Sequence, residues 1–373
     1  MHKRAIVIGA GIVGLAHARA LRLKGYKVTV VERSLEASGA SIRNFGMVWP
    51  IGQPSGILHQ RSVRSMAVWH ELCTQAKIWY SQPGCLHVAT TALEAEVMQQ
   101  IAAHYAQERQ TSWMTNHQLA KRSNAANLTN ALGALYSPHE TIVEAREAIR
   151  MLPRLLQEKL EIDFWWGKAA TEVQPNKVKI GNTWYVAELV LVCSGVDFES
   201  LFPEQFADAP ITRCKLQMMR LQLHAEAWHM GPAICGGLSL IHYKSFEVAP
   251  SLPLLKEHYR QSIPHYLQWG IHVMACQNQY GQITVGDTHE YGPNPDPFDR
   301  DDLNQWVLDY LQQFAQFPQP KVVQTWHGVY AKMTNGGTEY VAQVLPGVWV
   351  INGLGGAGMT LSFGLAEEVV ATM

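Results

Sequence analysis

The 373-residue chain is predicted to fold as a two-domain α/β protein, α+β in overall class, with an antiparallel-sheet domain inserted into a domain built on a parallel sheet. Three observations predict this. A strand, a glycine turn, a helix and a second strand open the chain at "RAIVIGAGIVGLAHARALRLKGYKVTVVER". A short apolar strand and a second glycine turn close it at "VWVINGLGGAGMTLSFGLAEEVVATM". Between them, residues 211 to 245 and 269 to 288 alternate apolar and polar, as in "ITRCKLQMMRLQL" and "GIHVMACQNQYGQITVGDT", which is the period of antiparallel strands.

In the opening unit, residues 5 to 8 form the continuous apolar run that a strand buried on both faces requires. Gly9, Gly11 and Gly14 then spell GxGxxG. The first permits a tight turn, the second lets backbone approach a pyrophosphate, and the third lets helix pack on strand. The helix predicted from Ile12 to Leu23, with Val13 in its first turn, points free N–H groups and its dipole at phosphate. Val28 to Val31 reads as the second strand. It ends at Glu32 and Arg33, where a carboxylate accepts hydrogen bonds from ribose hydroxyls. With strand, helix, strand and acid in register, the unit is Rossmann-like and predicts dinucleotide binding.

The next stretch, "ASGASIRNFGMVWP" (residues 37 to 50), is too small and polar for a core strand and too apolar for a solvated loop. It carries Ser41, Arg43, Asn44, Gly46, Met47 and Trp49. An NAD-binding fold usually continues into another regular βα unit, whereas this segment is irregular. It resembles the segment that follows the ribose-binding acid in the D-amino-acid oxidase superfamily, the group of glycine oxidase and sarcosine oxidase. The resemblance implies that the cofactor is FAD. Small residues would let the chain pass the diphosphate, and the residues after them would run beside the isoalloxazine.

The C-terminal end resembles the same superfamily. Val348 to Ile351 reads as a strand and Met359 to Thr372 as a helix, joined by a loop with Gly353, Gly355, Gly356, Ala357 and Gly358. The resemblance puts this helix N-terminus, with Met359 and Thr360, at the C2-carbonyl edge of the flavin. There it would stabilise negative charge as a hydride arrives. In "WYVAELVLVCSGVDFESLF", a strand expected over Val186 to Cys193 and the turn at Ser194-Gly195 resemble the family's return to the FAD domain. A helix near Ala145 to Leu160 and strands around Trp165 and Val178 complete that domain. Helices are further expected at 57 to 79, 92 to 108 and 299 to 315. The expected division is 1-55, 140-210 and 336-373 for FAD, with 56-139 and 211-335 forming a substrate domain whose sheet covers the flavin ring.

Composition narrows the function. Net charge is -1 and no basic run occurs, which argues against nucleic acid and anionic membrane as partners. No uninterrupted apolar run reaches the roughly 18 residues of a membrane span. The basic, then apolar start resembles a signal peptide, but the glycine pattern accounts for it. Six cysteines (Cys73, Cys85, Cys193, Cys214, Cys235, Cys276) form no CxxC pair and suit a reduced, cytoplasmic protein. The 16 histidines show neither HxxxH nor HExxH spacing, so no metal site is expected. No GxSxG nucleophile motif is present.

Candidate site residues fall in three segments. In the first, Arg43 offers a group for the FAD phosphate or flavin edge, or for a buried salt bridge. Met47 and Trp49 match positions that line the substrate side of the ring in glycine-oxidase-like enzymes, or else pack in the core. In "TWHGVYAKMTNGG", relatives acting on amino acids carry an arginine two residues after the glycine, and it clamps the substrate carboxylate. Here Gly328 is followed by Val329 and Tyr330, with Lys332 two residues on and His327 just before. No cysteine follows Cys276 to anchor FAD covalently, so noncovalent FAD is expected. In "GDTHEYG", Asp287, His289 and Glu290 cluster beside a turn, set to hold substrate or simply solvated. His272, alone on a strand, reads as structural.

"ASIRNFGMVWPIGQPSG", "CGGLSLIHYKSFEVAPSL", "GDTHEYGPNPDPFD", "WHGVYAK" and "GLGGAGMTLSFGLAEE" together resemble one subgroup of the superfamily, FAD-dependent oxidoreductases associated with phosphonate breakdown. That resemblance implies oxidative deamination of a small anionic amine, 2-aminoethylphosphonate or its N-methyl form. Met47, Trp49, His289, His327, Tyr330 and Lys332 are the residues expected around it. A glycine or sarcosine oxidase is the alternative, and a flavoprotein that modifies a macromolecule such as tRNA is a third reading.

Overall fold

The computed structural model describes residues 3–224 and 227–373. Ala225 and Glu226, inside the alternating stretch 211 to 245, and the first two residues lie outside them.

The parallel sheet forms where the apolar runs predict it. Strand β1 (Arg4–Ile8), helix α1 (Ile12–Leu23) and strand β2 (Lys27–Glu32) follow one another as expected. The sheet order is Asp163–Trp166, β2, β1, Leu189–Val192, Val348–Asn352, with Tyr340–Leu345 added antiparallel at the edge. Ala5 to Ile8 are all buried. The strand expected over 186 to 193 covers only Leu189–Val192. Thr183–Val186 belongs to a separate antiparallel sheet with Ala170–Gln174 and Lys177–Ile180. The break falls at Glu188, whose carboxylate would be unsatisfied inside a strand buried on both faces. Instead it accepts the N–H of Arg4 at 2.7 Å, at the start of β1.

Helices lie at Ile57–Ala76, Ala92–Arg109, Ala145–Leu160, Asp301–Phe314 and Gly358–Ala371, close to the expected spans. Helix Ile57–Ala76, expected in the inserted domain, packs instead with the parallel-sheet core through Val68, Trp69, Leu72 and Cys73. Trp69 meets Phe363 edge-on at 5.2 Å, and its indole N–H donates to the Met359 carbonyl at 2.8 Å. Arg61, nearly buried, ties the same helix to Glu339 and Glu368 at 2.9 and 2.7 Å.

Among the described residues the second sheet has nine strands. Its spine is the antiparallel pair Ile211–Gln222 and Lys321–Met333. Ile283–Gly286 and Met274–Gln277 continue it. The alternation read through residue 245 ends earlier. Gly237–Ile241 and Lys244–Val248 are 3-10 turns. Gly236 and Gly237 pack so tightly on Phe314, Tyr310 and Glu94 that a Cβ at either would lie within 2.7 Å of them, and the chain turns there. Among the described residues, no helix is long and apolar enough to cross a membrane.

Candidate active site and cofactor cleft

A continuous cleft of about 540 Å³ runs from the carboxyl ends of β1 and β2 to the face of the second sheet. Ligand sites in open α/β sheets take this position, and the size falls in the usual range of about 300–1,000 Å³.

At one end stands the glycine turn. Gly9 has φ +104°, and a Cβ there would lie 2.3 Å from the Cys193 carbonyl oxygen. A Cβ on Gly14 would lie 1.9 Å from the Gly9 oxygen, so this glycine allows helix–strand packing and does not itself line the cleft. Gly11, Ile12 and Val13 do line it. Ser41 Oγ accepts the N–H of Ile12 at 3.0 Å, joining the irregular segment to the start of α1. Glu32 receives N–H groups from Ala10 and Ser34, each at 2.9 Å and each on a different oxygen. Two bonds leave a carboxylate with acceptor capacity to spare for a diol. Arg33, largely exposed, pairs with Asp197 at 2.6 Å across the rim.

The irregular segment is self-braced. Asn44 Nδ2 donates to the carbonyls of Ala40 and Ser41, and its Oδ1 accepts from Gly46 N. Asn44 lines the cleft, with its amide bonded to its own loop. Gly46 is corrected: it stands behind the cleft wall at φ +77°, where a Cβ would meet the Val143 oxygen at 1.8 Å. Arg43 lines the cleft and donates to the His327 carbonyl at 3.3 Å. Among the described residues it has no carboxylate partner, so the buried salt bridge left open by the sequence does not form. Met47 and Trp49 are both core residues and cleft lining.

Ser194, Gly195 and Asn352 line the opposite wall, where Asn352 Nδ2 holds the Gly195 carbonyl at 2.8 Å. The closing loop, Gly353 to Gly358, brings the start of helix Gly358–Ala371 beside the start of α1. A Cβ on Gly358 would lie 3.5 Å from Ile12 Cγ2. Two helix N-termini thus face one cleft, which favours negative charge there.

The far end is polar. Period-two alternation along Lys321–Met333 separates His327 from Tyr330 and Lys332. His327 is the clearest correction: it turns away from the cleft to pair with Asp299 at 2.9 Å. Tyr330 and Lys332 pack over the glycine loop. A Cβ on Gly356 would lie 3.6 Å from the Tyr330 hydroxyl, and one on Gly355 would lie 3.5 Å from Lys332 Cγ. Lys332 donates to the Tyr291 hydroxyl at 3.0 Å. Glu290 is spent on the N–H of Asp296 at 2.9 Å, outside the cleft.

His289 lines the cleft, and two histidines that were not chosen as site residues join it. His272, read as structural, stacks on His242 at 3.8 Å, and His289 stands 5.1 Å from His272. Sequence spacing hid the group because its members come from three separate segments. Asp287 lies 3.2 Å from His272. Burial lowers the pKa of all three imidazoles, that of His289 to about 3, and raises that of the Asp287 carboxyl well above the usual range. Burial also lowers the pKa of Lys332 and keeps the Tyr330 phenol protonated.

Residues 4–372 match the family described as FAD dependent oxidoreductase. The chain belongs to that family. Among solved structures it is similar to L-proline dehydrogenase from P. horikoshii, with TM-score 0.78 and 17% identity over 99% of this chain and 92% of that one. It is similar also to glycine oxidase from Bacillus cereus, with TM-score 0.77 and 16% identity over 99% and 94%. A curated relative, the tRNA 5-methylaminomethyl-2-thiouridine biosynthesis bifunctional protein MnmC of Saccharophagus degradans, is 23% identical over 249 residues, 63% of this chain. The chain spans about a third (34%) of that relative's length.

The cleft suits FAD on three counts. Gly9, Gly11, Gly353, Gly355 and Gly356 bring bare backbone to its lining, as close approach of a diphosphate requires. Glu32 keeps acceptors for a ribose. Ser194 Oγ and Trp49 Nε1 are buried without a partner in residues that line the cleft, and so await a polar ligand. Gly9, Gly11, Ile12, Val13, Glu32 and Ser41 would hold the nucleotide half. Met47, Gly355, Gly356, Met359 and Thr360 would flank the ring.

Proposed function

We propose that this chain oxidises a small amine bearing a phosphonate, 2-aminoethylphosphonate or its N-methyl form, to an imine that water hydrolyses to phosphonoacetaldehyde. The observation that carries the reading is the donor set at the far end of the cleft. Tyr330 stands where amino-acid-oxidising relatives would place a clamp arginine, and imidazoles and Lys332 gather beside it. A carboxylate is planar and suits one bidentate guanidinium. A phosphonate is tetrahedral and suits donors from several directions.

When bound, FAD supplies the acceptor for the hydride that leaves the carbon beside the amine. The chain's part is positional. Met47, Trp49, Met218 and Met274 line the cleft with apolar surface that keeps water from the reacting carbon. Tyr330, kept as a phenol, donates without carrying charge. Lys332 holds the anionic end so that the amine reaches toward the ring, and this orientation accounts for much of the rate.

One observation favours a second reading, oxidation of glycine, sarcosine or another amino acid. Arg43 lines the cleft and, among the described residues, has no ion pair, so its guanidinium could act as a carboxylate clamp. The likeness to glycine oxidase is consistent with it. Anaerobic mixing with 2-aminoethylphosphonate, its N-methyl form, glycine, sarcosine and β-alanine decides between them through flavin absorbance. Fastest bleaching by a phosphonate is expected. Fastest bleaching by glycine or sarcosine would overturn the phosphonate reading. Bleaching by none would favour a macromolecular substrate.

A further inference from the structure

Histidines 242, 272 and 289 converge at the polar end of the cleft from three places. One follows the turn Gly237–Ile241, one precedes strand Met274–Gln277, and one follows strand Ile283–Gly286. His289 stands 4.9 Å from His242 and 5.1 Å from His272, ring centre to ring centre. Its Nδ1 lies 3.0 Å from the Gly270 carbonyl oxygen. A carbonyl only accepts, so Nδ1 carries the proton, and in the neutral ring Nε2 is a lone pair. His272 is buried with Nδ1 unpartnered.

These tautomers constrain what the cluster can bind. Toward an anion, neutral His289 presents a lone pair, which repels it. One added proton makes Nε2 a donor without disturbing the bond to Gly270. The ionisable groups facing His289 are His242, His272, Asp287 and Lys332, with Tyr291 and Tyr330 at 6.0 and 6.4 Å between ring centres. Tyr243 and Lys244 complete the wall. In the free protein Lys332 opposes a second positive charge here. An anion between them reverses that balance, because each cation then has an opposite charge beside it.

We propose that His289, His242, His272 and Lys332 form a subsite for a tetrahedral oxyanion, and that the subsite fills by taking up the anion together with one proton from solvent, carried by His289. The inference rests on the phosphonate reading and says how that substrate's anionic end is held. The proton balance is simple: a dianion and one proton enter, Nε2 of His289 gains the proton, and no bond in the ligand breaks.

A single metal ion fits the cluster less well. The candidate ligand atoms lie within 4.8 Å of one another. Bonds of about 2.1 Å hold nitrogens only about 3.4 Å apart in a tetrahedral zinc site. His242 and His272 are stacked with 28° between their planes, so their in-plane lone pairs run side by side.

Inorganic sulfate is the probe, since it is tetrahedral and does not titrate near neutrality; any proton taken up must go to the protein. Calorimetric titration into the FAD-loaded enzyme at pH 8, in buffers of different ionisation enthalpy, is expected to show uptake of close to one proton per sulfate. Affinity should fall about tenfold per pH unit above 7, as linkage to one proton requires. In His289→Asn the amide keeps a donor toward Gly270 but lacks Nε2. Uptake should vanish and sulfate should bind at least about tenfold more weakly at pH 7. If that variant loses its FAD, the wild-type proton count decides alone. Sulfate binding without uptake, or with undiminished uptake in His289→Asn, overturns the proposal. So does stoichiometric zinc binding in place of sulfate. Proton-linked sulfate binding with no bleaching by any aminophosphonate keeps this inference and removes the substrate reading. Bleaching by aminophosphonates with no proton uptake does the reverse.

Discussion

Thr360 Oγ1 accepts the backbone N–H of Trp49 at 3.0 Å, and both residues are buried. This bond, across 311 residues of sequence, locks the first turn of the C-terminal helix to the irregular segment, so one contact joins two walls of the cleft. Thr360→Val keeps the shape and removes the acceptor, leaving a buried N–H unpaired. A loss of about 1–3 kcal/mol is expected from urea unfolding, with Thr360→Ser restoring most of it. Equal midpoints for wild type and Thr360→Val would show that the bond contributes nothing.

Gly11 and Gly14 should fail in different ways. A Cβ on Gly14 would overlap the Gly9 backbone oxygen, which cannot move aside, so Gly14→Ala should lower the melting temperature of the apoprotein. A Cβ on Gly11 meets only Ser41 Oγ, at 3.1 Å. Gly11→Ala should leave the apoprotein's melting temperature near wild type while weakening FAD at least about tenfold, because the lost approach is to the diphosphate. Melting curves paired with a fluorescence titration of FAD separate the two effects. Equal FAD affinity in Gly11→Ala would remove this glycine from the cofactor site.

FAD is expected to leave the protein on acid precipitation, giving a yellow supernatant and a colourless pellet. The motivation is the far end of the cleft, which carries no cysteine on the strand Lys321–Met333 or after it. Colour kept in the pellet would mean a covalent link through another residue.

His327 and Lys332 sit five residues apart on one strand and should behave as opposites. His327→Ala removes a side chain paired with Asp299 outside the cleft and should keep kcat/KM within about threefold of wild type. Lys332→Met removes a partly buried cation from the cleft and should lower kcat/KM for an anionic amine by about tenfold or more. Steady-state kinetics on whichever amine bleaches the flavin checks both, and the reverse ranking would return His327 to the site.

Acid should destabilise the fold through buried histidines. His17 is fully buried in α1, and burial lowers its pKa from 6.5 to about 4, against the opposing bond to the Val13 carbonyl. Below pH 6.5 the unfolded chain binds a proton there that the folded chain refuses until about pH 4. Its share of stability is therefore full above 6.5 and is lost as pH falls through that window, by about 3 kcal/mol in all. His17→Leu should flatten the melting temperature between pH 6.5 and 4 relative to wild type. Parallel curves would show that His17 does not titrate this way.

The glycine-turn end of the cleft was legible in the sequence because its parts are neighbours in the chain. Gly9, Gly11, Gly14 and Glu32 lie on one strand–helix–strand unit, whose geometry follows from local turn sterics and an apolar run, and the closing loop Gly353 to Gly358 is equally local. The polar end was decided by tertiary structure alone. His242, His272 and His289 have no spacing in common and meet only because three strand ends and turns converge on one face of the second sheet. Gly46 belongs to the right segment, yet it stands behind the cleft wall because its backbone packs on Val143, a long-range contact that spacing does not carry. His327 was misplaced for the simplest reason: a strand turns successive side chains to opposite faces, and only the paired sheet decides which face meets the cleft.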